Sequence, residues 1–173
     1  MNYEESVRRA FKDSKIAFTR EELDRIEYAD FGLNNIKQEG LNLIIYINND
    51  RYCAKEMVLL AGQTCPEHKH PHRGQNLEIE GKEETFRVRQ GQVYLYVTGE
   101  PNVKTIIAKI PSGNKEWYTA RHEIILNAGE QFTIAPNILH WFQAGKGGAI
   151  ISEFSSSSED SSDIFLIQKL DDK

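Results

Sequence analysis

His68 and His70 stand two residues apart in the run C-P-E-H-K-H-P. On an extended strand both imidazoles leave the same face. A third histidine, His140, comes later in the chain, and so does a carboxylate. Three neutral imidazoles and one carboxylate converging inside a β-barrel would make an open site for a divalent transition metal. An isolated H-x-H in a polar, proline-flanked loop is more often solvated surface, so the reading depends on what surrounds the pair.

Four glutamates, Glu78, Glu80, Glu83 and Glu84, lie between His70 and Gly91. Strand alternation chooses among them. Phe86 and Val88 share parity with Glu84, whereas Thr85, Arg87 and Arg89 share parity with Glu83. If the apolar face is the core, Glu84 points inward and Glu83 outward. Lys82 also has inward parity. An inward glutamate is costly unless it is paired or bound to metal. A simple Lys82–Glu84 salt bridge is the competing explanation.

The elements that must carry these residues begin with helix. Tyr3, Val7, Ala10 and Phe11 fall at helical spacing, with Glu4 and Glu5 at the positive end. Thr19 and Glu22 form a capping box for a second helix, with Phe18 and Leu23 as its staple. Leu23, Ile26 and Ala29 predict that it continues to just before Gly32. From Leu41 the period becomes extended. Strands are expected at 43–47, 55–60, 84–88, 93–97, 105–110, 123–126, 132–134, 141–144, 149–154 and 165–170. Gln90-Gly91-Gln92 and Gly145-Lys146-Gly147-Gly148 read as turns between them, the first as a hairpin. Short strands with glycine turns at this rhythm predict an all-β sandwich or barrel. We expect one domain over 1–173, with an N-terminal helical extension over about 1–38. Ser155 to Ser162 is low in complexity and reads as a mobile loop or a rim of the site.

Composition narrows the function classes. The 173 residues suit one domain with a sizeable core. A net charge of -5 without a basic stripe argues against nucleic acid. No apolar run approaches the roughly 20 residues of a membrane span, and the N-terminus lacks the apolar core of a signal peptide. Two cysteines, Cys53 and Cys65, make no disulfide framework, so a cytoplasmic location is expected. Cys65 has no matching half-site for a structural zinc. His72 is expected at a rim and His122 on a strand surface. Trp141 and Phe142 are expected in the core or the pocket wall.

The chain resembles a cupin, a small jelly-roll β-barrel with two metal-binding motifs. Gly62, His68, His70, Glu84 and Gly91 match the first motif, with thirteen residues between His70 and Glu84 where the family usually has three or four. Gly129, Pro136 and His140 match the second, with Ile138 where a glycine is usual. More closely, the runs G-K-E-E-T-F-R-V-R-Q-G, R-H-E-I-I-L-N-A-G-E-Q-F and S-E-F-S-S-S-S are similar to the cupin-type D-lyxose isomerases. That resemblance implies the metal ligands His68, His70, Glu84 and His140, and manganese as the usual metal. Iron, cobalt, nickel and zinc suit the same donors. It also implies Lys82, Glu153 and Asp163 as further site residues.

The implied activity interconverts D-lyxose with D-xylulose, and D-mannose with D-fructose, by proton transfer through an enediol. A carboxylate off the metal can move the proton between C2 and C1, a role that falls to Glu153. Lys82 would stabilise the sugar oxygen. Asp163 would bind a distal hydroxyl or order the loop. The expected partner is a monosaccharide, and edge-strand pairing makes a homodimer plausible. Two other functions fit the same ligands: an iron-dependent cupin dioxygenase and a non-catalytic sugar-binding cupin.

Overall fold

The computed structural model describes residues 2–167. Helix α1 (Tyr3–Asp13) opens the chain under a capping box between Asn2 and Glu5, and buries Val7 and Phe11. Helix α2 (Arg20–Asp24) starts at the expected Thr19–Glu22 box but lasts only five residues. The extension of this helix toward Gly32 is therefore overturned. Glu27–Ala29 forms strand β1, which pairs antiparallel with β2 (Leu41–Asn48) through Glu27–Leu43 and Ala29–Leu41. Tyr28 is aromatic, and an available strand edge outweighs a short helical stripe.

Strand β2 turns through residues 49–52 into β3 (Cys53–Leu59), and β3 pairs with β8 (His140–Ser155). On its other edge β8 pairs with β4 (Thr64–Lys69) and along its length with β5 (Glu84–Val97). Strands β6 (His122–Asn127) and β7 (Gln131–Ile134) pair in succession with β5. Strand β9 (Ile164–Phe165) pairs with β4. Residues 168–170 of the last expected strand lie outside the described residues. All these ladders are antiparallel, and the sheet curls around a core of Leu43, Met57, Leu59, Phe86, Leu95, Phe142 and Ile151.

Three sequence expectations change here. The segments 84–88 and 93–97 form a single strand, not a hairpin. Segments 141–144 and 149–154 are likewise one strand. Val93 pairs with Ala144 and Gly91 with Ala149, so residues 145–148 bulge out opposite Gln92. The glycines bend these strands without reversing them. Gly91 has φ +77, and a Cβ there would sit 2.1 Å from the Gly148 carbonyl oxygen. Only glycine lets the two backbones pass this closely.

The third change is at 105–110, which forms no strand. Its backbone donors are taken by side chains instead. Ile107 N–H donates to Glu123 Oε2, Ala108 N–H to the Tyr96 hydroxyl, and Lys109 N–H to Gln143 Oε1. An apolar run whose amides are already satisfied has no need of a ladder. Helix α1 packs Val7 and Phe11 on Ile44, Val58 and Ile150, so β2, β3 and β8 are buried on both faces there.

Candidate metal centre

His68 lies on β4 directly opposite His140 at the start of β8, with Phe165 of β9 on its other side. His70 follows just beyond β4 and keeps the same parity. Glu84 opens β5 with 1% of its surface exposed, followed inward by Phe86 and Val88, whereas Glu83 is exposed. The parity argument therefore holds in the structure. The thirteen-residue spacer is a closed excursion. It folds on itself through an Arg73–Ile79 bridge and returns at Gly81, whose N–H donates to His72 Nδ1. A Cβ on Gly81 would lie 2.2 Å from the His70 carbonyl oxygen. That close return sets Glu84 beside His70 despite the insertion.

The ligand atoms of His68, His70, Glu84 and His140 all lie within 4.8 Å of one another. The hydrogen bonds behind the rings aim them. His68 Nδ1 lies 2.8 Å from the Pro66 carbonyl oxygen, and His140 Nδ1 lies 2.9 Å from that of Ile138. A carbonyl can only accept, so each Nδ1 carries the proton and each Nε2 presents a lone pair. Glu84 Oε1 is 2.8 Å from His140 Nε2 and 3.3 Å from His70 Nε2. All three of those atoms are buried without a hydrogen bond of proper geometry. Buried lone pairs that converge in this way lack what normally satisfies buried polar groups, and a divalent cation fits the gap.

The electrostatics agree. Burial, with His140 and His70 beside it, holds His68 well below the usual histidine range and so keeps it neutral. Burial opposes ionisation of Glu84, but the Lys82 ammonium and the two imidazoles outweigh it and hold the carboxyl well below its usual range. His70 is desolvated too, yet Asp163 and Glu84 shift it upward.

Lys82 joins the centre to a second carboxylate. Its Nζ lies 2.7 Å from Glu84 Oε2 and 3.0 Å from Glu153 Oε1. Burial disfavours its charge, but Glu84 and Glu153 more than compensate, so it stays an ammonium. The lysine that makes the salt bridge also borders the cavity. Glu153 is 3% exposed, which excludes a solvated surface position. Lys55 is opposite Glu153 across β3 and β8, with its Nζ 3.4 Å from the same Oε1. Sequence reasoning missed Lys55, although it shares parity with the inward Cys53, Met57 and Leu59.

Asp163 makes a contact that neither expected role named. Its Oδ1 sits 2.5 Å from His70 Nδ1, behind the ring, and it also borders the cavity. The serine-rich segment is tied down rather than loose. Ser156 N–H donates to the Glu83 carbonyl, Ser158 exchanges two bonds with Asn48, and Arg73 pairs with Glu159. Ser161 lines the cavity. His122 binds the Glu100 carbonyl away from the centre, and Trp141 is fully buried against Tyr96 and Tyr118. Cys65 is buried, with its Sγ 3.9 Å from His68 Nδ1.

A cavity of about 440 Å³ opens onto His68, His70 and Glu84, and Lys55, Lys82 and Glu153 also line it. A larger cleft of about 1110 Å³ lies under the 101–115 segment and contains none of these residues. The smaller cavity is the one that adjoins the chemistry, and its volume suits a monosaccharide.

A curled antiparallel sheet with a buried histidine–glutamate cluster at the mouth of its core defines a metal-site cupin. Known proteins narrow the class. The D-lyxose isomerase family model matches residues 26–172, and the chain belongs to that family. It is 56% identical over 162 residues to the D-lyxose/D-mannose isomerase of Thermosediminibacter oceani, covering 94% of this chain and 87% of that one. It is 52% identical over 165 residues to the D-lyxose ketol-isomerase of Cohnella laeviribosi, covering 95% and 88%. The structure of Cellulomonas parahominis L-ribose isomerase with L-ribose superposes with a TM-score of 0.75, covering 98% of this chain and 92% of that one. At 14% identity that likeness speaks for the fold.

Proposed function

We propose that this chain is a metal-dependent ketol-isomerase that interconverts D-lyxose with D-xylulose and D-mannose with D-fructose. The observation that carries the reading is Glu153, a buried carboxylate off the ligand cluster, joined to the ligand Glu84 through Lys82. The activities named for the relatives above support the same reading. A dioxygenase or a passive sugar-binding cupin would leave that buried charge chain without a task.

His68, His70, Glu84 and His140 would hold the cation. Once bound, it supplies Lewis-acid polarisation of the sugar's carbonyl. Glu153 takes the proton from C2 and returns it to C1, or the reverse. Lys82 donates a hydrogen bond to the sugar oxygen whose charge changes during that transfer. Lys55 also lies beside Glu153 Oε1, so the base is oriented by two ammonium groups. Asp163 fixes the His70 ring through Nδ1. Glu153 is only 3% exposed, which shields the exchanging proton from bulk water.

Manganese is our assignment among the metals that imidazole and carboxylate accept. We read the chain as one domain whose N-terminal extension, about 1–38, packs on the sheet, and as a cytoplasmic protein. No helix among the described residues is long and apolar enough to cross a membrane. A homodimer is our reading of the assembly, and the exposed Ile45, Tyr46, Ile47 and Phe154 give it apolar surface to bury.

The test is to strip the protein of metal, reload it with each divalent ion in turn, and screen free aldoses and ketoses for interconversion. The expected result is turnover of D-lyxose and D-mannose, highest with manganese. Saturable sugar binding without turnover at full metal occupancy would leave a binding protein instead.

A further inference from the structure

The two ends of the cavity differ. Its buried end carries Glu84, Lys82, Glu153 and Lys55, and its open end is built by the exposed Tyr28 and Ser161 and the partly exposed Asp30, Phe31 and Phe165. Phe31 is the anomaly in that group. Its φ is +55, in the left-handed region that bulky side chains avoid. Such a conformation costs roughly 1–2 kcal/mol for a residue with a Cβ. The segment has a glycine beside it, Gly32 at φ +76, whose N–H donates to Asp30 Oδ1. An aromatic ring is nonetheless kept at the strained position. Strain of this kind persists only where the surroundings fix it, and it points to function when it borders a site.

What fixes Phe31 is visible. Its ring lies 4.7 Å from that of Phe165, and Phe165 in turn stacks on His68 at 4.8 Å and 18°. A continuous aromatic wall therefore runs from a metal ligand to the open end of the cavity. It is made by two segments far apart in sequence, one after β1 and one in β9.

We infer that Phe31 is a specificity-determining residue, closing with Phe165 the wall that meets the end of the sugar farthest from the reacting carbons, and so setting the preference between five- and six-carbon aldoses. The inference rests on the isomerase reading above. C1 and C2 must lie beside Glu84 and Glu153, which directs the remaining carbons toward the open end. D-Mannose repeats the configuration of D-lyxose at C2, C3 and C4 and adds one carbon at the distal end. The two substrates therefore differ only where Phe31 stands. The Phe31 ring takes up room into which the extra carbon would extend and so favours the shorter sugar, while Asp30 and Ser161 on the same rim offer polar groups to a terminal hydroxyl.

The experiment measures kcat/KM for D-mannose and D-lyxose in the wild-type protein and in Phe31→Ala, Phe31→Leu and Phe31→Trp, all loaded with manganese. The readout is the ratio of the two constants. Unfolded or metal-free protein lowers both constants together and cancels in the ratio. One carbon's worth of packing discriminates by about 10-fold or more, so Phe31→Ala should raise the D-mannose to D-lyxose ratio by that order, with Phe31→Trp lowering it. Phe31→Leu keeps an apolar side chain for folding and should fall between wild type and Phe31→Ala. A ratio unchanged to within about twofold in all three variants, far below that packing effect, would overturn the inference while leaving the isomerase reading intact. Wild-type protein that turns over neither sugar would instead overturn the isomerase reading, and the inference with it.

Discussion

Glu84 Oε1 lies 2.8 Å from His140 Nε2, although the two residues stand at opposite ends of one strand ladder. Glu84 begins β5 opposite Ser155, and His140 begins β8 opposite Val97. Laid flat, a strand of fourteen residues would hold its ends about 43 Å apart. The bulges near Gly91 and Gly148 curl the ribbon until its ends meet, and the candidate metal site is that meeting point. Both His140→Ala and Glu84→Gln should therefore abolish most metal binding while the strands still form. Glu83→Gln, one residue away on the outer face, should bind metal like wild type. Metal content by mass spectrometry, with circular dichroism as the folding control, distinguishes these outcomes. Loss in Glu83→Gln and retention in Glu84→Gln would mean that the strand register is wrong.

Asp163 contacts His70 Nδ1 from behind the ring. Removing a carboxylate that orients a metal-binding imidazole commonly weakens metal affinity by about 10–100-fold. Asp163→Ala should show a loss of that order in competition with a chelator of known affinity. If its only role were a contact with the far end of the sugar, metal affinity would stay unchanged and only KM would rise.

Glu153→Gln keeps the shape of the side chain and removes its ability to accept a proton. General base catalysis contributes about 10²–10⁴-fold, so the turnover number should fall by that order with metal content near wild type. Near-normal turnover by this variant would move the proton-transfer role to another group.

Gly81→Ala tests the return of the insertion. The added methyl would meet the His70 carbonyl oxygen at 2.2 Å, and both sides of that contact are backbone. Relief requires the His70 segment to shift, which should lower metal affinity as well as stability. Overpacking of this type costs about 1–3 kcal/mol. In a chain of this size that corresponds to a drop in Tm of about 2–4 °C for each kcal/mol. Calorimetry of the metal-free protein separates the two effects. A wild-type Tm together with wild-type metal affinity would show that the loop accommodates a side chain after all.

The residues that could be read from sequence are those whose neighbours alternate cleanly. Glu84 was separable from Glu83 because Phe86 and Val88 mark one face and Thr85 and Arg87 the other. The capping boxes at Asn2 and Thr19 differ in this respect. Thr19 announces its helix in the sequence, yet tertiary pairing of β1 with β2 ends that helix after five residues. Glu153 sits in A-I-I-S-E-F, where Ile150 and Ile151 are both buried because helix α1 covers the outer face. Parity gives no direction in such a strand, and only the family resemblance singled the residue out. Lys55 was hidden in a similar way, beside Glu56 and Val58, which are buried on the opposite face. The long strands were misdivided because a glycine that bends a strand and a glycine that reverses it look alike without the partner strand.

The crossing of Gly91 and Gly148 also bears on how the chain reaches this form. The ladder on either side of it joins residues 84–97 to residues 140–155, across an intervening stretch that includes β6 and β7. Pairing at such sequence distance must absorb loop-closure entropy before any contact repays it, which places β-rich topologies of this kind in the millisecond-to-second range of folding. Each bulge offers a place for the ladder to slip by one residue, and a slip would turn Glu84 and Phe86 outward together. Metal-ion uptake during refolding should then lag behind the appearance of strand signal, since the ligands come together only after the ribbon has zipped in the correct register from end to end.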